Sequence, residues 1–232
     1  MAGFLQSFRS VIPESVAAES PGAKFETYGV SLEQKLSTGT YLGVSAQILN
    51  SLDRQVLGAF DLMAPESFYA VPSGLRENLD YHEGTLRFKA NQLLGREWSV
   101  GAEYGISQAT LNNNFINVPD GLRFVNFVPR QQTEAVLQQA DLFAIYNHPS
   151  GFFLTGEALW NDQSNAGYTP SLPGDDFWQL NAFAGWRFLH RRAELRLGVL
   201  NIGGQDYNLN PLNLHEEYPH QRTFTMRLRL NF

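Results

Sequence analysis

Thr223-Phe-Thr-Met-Arg-Leu-Arg-Leu-Asn-Phe232 alternates without a break: Phe224, Met226, Leu228, Leu230 and Phe232 share one side, and Thr223, Thr225, Arg227, Arg229 and Asn231 share the other. Successive side chains of an extended chain point in opposite directions, so a period of two marks a β-strand with one apolar and one polar face. Working backwards, Leu195, Leu197 and Val199 alternate with Glu194, Arg196 and Gly198. Trp178, Leu180, Ala182, Ala184, Trp186 and Phe188 alternate with Gln179, Asn181, Gly185 and Arg187. The same pattern runs through Phe152 to Asn161, Ala140 to Tyr146, Trp98 to Ser107 and Thr85 to Asn91. Weaker runs cover Arg54 to Leu62, Leu42 to Ile48 and Tyr28 to Leu32, with short turns expected at 37–39 and 50–53. The total is about ten strands.

The connections carry a second pattern. Gly95-Arg96, Pro149-Ser150 and Arg191-Arg192 are short, whereas 63–80, 109–130, 162–175 and 203–220 are long and rich in Asn, Pro, Gly and Asp. Short turns at one end and long loops at the other are characteristic of outer-membrane barrels. The apolar face is light in its middle, with Gly156, Ala158, Ala182 and Ala184, and aromatic at its ends. Phe152 and Trp160, Trp178 and Trp186, and Phe224 and Phe232 are each eight residues apart. Eight tilted residues climb roughly 20 Å, close to an apolar band of about 25 Å bounded by aromatic girdles.

Composition narrows the function. With 43% hydrophobic and 17% charged residues the chain is too apolar to be disordered. A net charge of −6 without a basic run argues against nucleic acid as a partner. The absence of cysteine removes disulfides, thiolate zinc sites and thiol nucleophiles. No apolar run reaches the roughly 18 residues of a spanning helix, so a membrane would have to be crossed by strands. Met1 to Arg9 lacks the ordered basic, apolar and small-residue regions of a secretion signal.

Residues Leu200-Asn-Ile-Gly-Gly-Gln-Asp-Tyr207, Asn210-Pro-Leu212 and Arg222-Thr-Phe224, with the alternating finish to Phe232, resemble the end of TonB-dependent receptor barrels. The resemblance is specific over 195–232 and architectural elsewhere. It implies that Phe224, Met226, Leu228, Leu230 and Phe232 form the signal read by the barrel-assembly machinery. Full receptors have about 22 strands and a plug domain, so the resemblance also implies missing N-terminal strands and a plug.

Catalytic and metal motifs find little support. His215-Glu-Glu-Tyr-Pro-His220 has its histidines five apart, and Pro219 breaks the helix that a zinc-protease site requires; it reads as a polar loop. Asp162, Asn165, Asp175 and Asp176 sit at the two ends of one long loop, where they could meet around calcium or remain solvated acids. Glu103, Glu157, Glu194, Arg87, Lys89, Arg187, Arg196, Arg227 and Arg229 fall on the polar face, either lining a ligand path or pairing across strands. Asn112 to Asn114 reads as a loop tip.

The sequence therefore predicts an all-β fold: an antiparallel transmembrane β-barrel of about ten strands, part of a larger barrel. Residues 1–23 are a loop-like N-terminal segment and 24–232 the barrel region. The expected setting is the outer membrane of a Gram-negative bacterium, with the lipid bilayer, the barrel-assembly machinery and a small-molecule ligand as partners. The expected role is ligand binding and uptake, with no enzyme activity, cofactor or metal. Two alternatives remain: a self-contained small barrel with a structural or adhesive role, and a soluble β-barrel holding a small apolar ligand.

Overall fold

Reversals that need few residues need unusual backbone angles, and the short turns show them. Gly39, Gly95 and Gly151 have φ of 78°, 65° and 96°. At Gly151 a Cβ would also strike the backbone carbonyl of Arg187, so only glycine fits. The turn at 189–192 places two non-glycine residues in the left-handed region, Leu189 at 50° and His190 at 56°. The amide of Arg192 donates to the Leu189 carbonyl at 3.1 Å and closes the turn.

The computed structural model describes residues 24–62, 70–118, 128–169, 171, 174–190, 192–206 and 221–230. Nine strands lie within them: β1 (Lys24–Lys35), β2 (Thr40–Leu62), β3 (Ala70–Leu94), β4 (Trp98–Phe115), β5 (Arg130–Asn147), β6 (Phe152–Ala166), β7 (Asp175–Phe188), β8 (Ala193–Leu200) and β9 (Thr223–Leu230). They form one antiparallel sheet in chain order, with β1 and β9 at its edges. Among the described residues the sheet is open. The 1–23 segment, the histidines at 215 and 220, and Phe232 lie outside them.

Two weak runs expected as separate strands are one. No turn occurs at 50–53, because β2 runs straight through, with Asn50 paired to Glu26 on one side and His82 on the other. The strand count is accordingly nine, and every short turn falls at the same end of the sheet. The long loops are shorter than expected, since β3 starts at Ala70 and β4 runs to Phe115. Asn112, Asn113 and Asn114 are not a loop tip; they pair with Gln132, Gln131 and Arg130.

The register is staggered. One row of partners runs Leu94, Trp98, Tyr146, Leu154, Ala184, Leu197, Met226 from β3 to β9. At the β3–β4 turn this row is the last rung. The β1–β2 ladder stops at Tyr41, whose partner Asn91 is three residues short of Leu94, while β7 runs four residues past Ala184 to Phe188. The turns thus advance about one residue per strand. With about 3.3 Å per residue and 4.8 Å between strands, the strands tilt by about 40° from the normal to the line of turns, within the range that barrels require.

Candidate functional site

The two faces of the sheet differ in kind. Burial concentrates on the face carrying Leu49, Asp53, Glu83, Leu137, Gln139, Asp141, Asn161, Gln179 and Asn181, called the inner face, the opposite one being the outer face. The opposite face carries the apolar alternation, and it is the exposed one: Leu142, Trp178, Leu180, Trp186, Leu197, Phe224, Met226, Leu228 and Leu230 are all open. A soluble sheet has these reversed.

The exposed apolar residues form a belt parallel to the line of turns. At its lower edge Trp98 stacks on Tyr146, with centroids 4.8 Å apart, and Phe152 lies 6.0 Å from Trp186. Correcting each strand for the stagger brings these four to one height. The same correction brings Trp160, Trp178 and Phe224 to a second height, about 20 Å away. Immediately beyond that upper line the same face turns polar on neighbouring strands, and the polar groups bond to one another. His82 contacts Asn50, Tyr104 donates to Gln138 at 2.7 Å, Gln138 to Asp162 at 3.3 Å, and Trp160 Nε1 to Asp176 at 2.8 Å. Asp162 and Asp176 are register partners, so the two ends of that loop do meet. Among the described residues, no three His, Asp or Glu side chains gather as metal ligands.

Above the upper line the apolar character changes sides. Leu49, Tyr81, Ala109, Ala135, Leu137 and Phe177 form a buried cluster on the inner face, with Leu111 against it. Here the outer face carries Asp80, His82, Gln108 and Asn112 instead. Just outside the strands burial pushes the Tyr168 phenol up to about 12.

Within the belt's height the inner face is a hydrogen-bonded polar wall. Gln139 donates to Asn161 at 2.9 Å, Gln179 to Asn181 at 3.1 Å, and Asn181 to Glu157 at 2.8 Å. Arg87 faces Glu103 at 3.6 Å. Arg187 donates to Glu194 at 2.9 Å and to Asn147 at 2.8 Å while its guanidinium rests 4.3 Å from the Phe153 ring. Three inner aromatics lie over glycines directly opposite them: Phe143 over Gly101, Phe153 over Gly185, and Phe183 over Gly198. Each ring fills the space a side chain would occupy, covering otherwise bare backbone.

Phe224, Met226, Leu228 and Leu230 stand together on the outer face of β9, Phe224 and Met226 each 76% exposed. Arg87, Glu103, Glu157, Arg187, Glu194, Arg196, Arg227 and Arg229 share the inner face by register, as their alternation predicts. The inner apolar cluster and the polar line along the belt's upper edge went unread in the sequence. Their trace is the side-by-side apolar pairs Ile48-Leu49, Val136-Leu137 and Phe177-Trp178, where alternation passes from one face to the other. Compared with known proteins, the chain matches no family model and no curated sequence.

Proposed function

We propose that this chain is part of a transmembrane β-barrel of the Gram-negative outer membrane, of the kind that TonB-dependent receptors use, and that it forms one wall of a path for ligand uptake. The observation that carries the reading is the inverted burial: large apolar side chains are exposed in a staggered belt about 20 Å high, while carboxylates and amides are buried on the other face. Hydrocarbon satisfies the first set and a hydrated lumen the second. The exposed belt also speaks against a soluble barrel, whose apolar side chains would face inward.

In this reading the edges β1 and β9 pair with further strands, a plug occupies the lumen, and selectivity comes from long loops and lumen polarity without a covalent step. Phe224, Met226, Leu228 and Leu230, with Phe232, present the strand read by the barrel-assembly machinery. The test is folding of the full chain from urea into preformed lipid vesicles, followed by protease digestion and gel mobility with and without heating. Protection of strands β2–β9 and a heat-dependent mobility shift are expected. A stable monomer in detergent-free buffer that ignores vesicles would overturn the reading.

A further inference from the structure

The inner face of β7–β9 is built in rows, and their charges do not balance. In one row Glu194 stands between Arg187 and Arg229, a single carboxylate flanked by two guanidiniums. The next inner row reads Gly185, Arg196, Arg227: two arginines directly opposite each other, with no acid in that row among the described residues. Directly opposed antiparallel residues have Cβ atoms about 5 Å apart, and like charges so placed repel. Arg196 is held in place, its guanidinium 3.8 Å from the Phe183 ring and its Nε buried without an acceptor. Arg227 is exposed on the same face. Of the nearby carboxylates, Glu194 is ion-paired with Arg187, and Glu157 accepts a hydrogen bond from Asn181.

From this geometry we infer that Arg196 and Arg227 form a binding site for a small oxyanion, a carboxylate or phosphate group of a diffusible solute. Each guanidinium fork has the geometry that binds a carboxylate or phosphate group, the two stand on adjacent strands, and stacking on Phe183 fixes one fork in advance. A bound anion turns the repulsive pair into a bridged one. The inference rests on the proposed function only for the route by which the solute arrives; it gives that path an anionic class of ligand.

The experiment uses the full chain folded in neutral detergent micelles, with β-content checked by circular dichroism. Inorganic phosphate and succinate are titrated calorimetrically at low ionic strength, against chloride at matched ionic strength. One-to-one binding of phosphate or succinate above the chloride background is expected. Arg196→Gln or Arg227→Gln should weaken it at least tenfold, Arg196→Lys should fall between, and Arg192→Gln at the exposed turn should leave it unchanged. Without oxyanion, Arg227→Gln should be no less stable than the parent, because the repulsion is relieved. Equal binding in all variants, or none above chloride, would overturn the site. If the micelle-folded chain binds phosphate through these arginines but does not enter vesicles, the uptake reading fails and the site stands. If it enters vesicles and every variant binds alike, the site fails and the uptake reading stands.

Discussion

Leu94 and Leu197 are a matched pair for testing what the outer face meets. They lie in one hydrogen-bonded row, five strands apart, and are 50% and 51% exposed. In water their replacement by arginine should cost the same, within about 0.5 kcal/mol, as for exposed surface sites generally. In a bilayer they differ in depth alone. A row perpendicular to strands tilted by about 40° climbs about 3 Å per strand, so Leu197 lies about 15 Å deeper than Leu94. Leu94 is at the turn edge of a band about 25 Å high, which puts Leu197 close to its middle. Leu197→Arg should therefore cost about 2–4 kcal/mol and Leu94→Arg about 0–1 kcal/mol. The assay is reversible urea unfolding from lipid vesicles, read by tryptophan fluorescence, with both variants compared in detergent-free buffer for aggregation. Equal penalties in vesicles would refute the staggered-belt reasoning.

Further outcomes follow from individual contacts. Gly185→Val should cost about 1–3 kcal/mol in the same unfolding assay, since its Cβ would meet the Phe153 ring and the Leu195 carbonyl. His190→Gly should stabilise by up to about 1 kcal/mol, because relief of about 1–2 kcal/mol of left-handed strain at φ 56° outweighs about 0.4–1 kcal/mol of added unfolded-state freedom. Arg187→Gln should cost about 1 kcal/mol or less, as its half-exposed ion pair with Glu194 is screened by solvent and replaced in part by an amide. For Tyr168 the folded protein holds the phenolic proton more tightly, up to about 12. Its contribution is intact below pH 10 and lost as pH rises towards 12, and Tyr168→Phe should remove that part of the alkaline decline in a pH series of unfolding curves.

The alternation in β3 to β9 was legible because one face is apolar through the belt, even where Phe143, Phe153, Leu159 and Phe183 put apolar side chains on the other face. The continuity of β2 was not. Asn50, Ser51 and Asp53 are turn-forming residues by local preference, yet Asn50 and Ser51 pair with β1 and Asp53 with β3. Two flanking ladders outweigh the modest local preference of such residues for turns. Asn112 to Asn114 misled for the same reason. The inner cluster was missed because following one apolar face along a strand loses the point where that face crosses over. On the inner face the arginines and carboxylates were legible as a set, but the partners of each depend on register. One residue of slip would place Arg196 opposite a different neighbour.

Every ladder in this sheet joins strands consecutive in the chain. Four of the connections are short, at 36–39, 95–97, 148–151 and 189–192, so the entropy of closing each hairpin is small, and no strand must wait for a distant one. A β-sheet assembled this way has nearest-neighbour energetics, much as a repeat array does. Hairpins can be added to or removed from the β1 edge without rewiring the rest. Width is then a matter of how many hairpins are strung together, while the stagger, fixed locally by each turn, carries the tilt unchanged from one hairpin to the next.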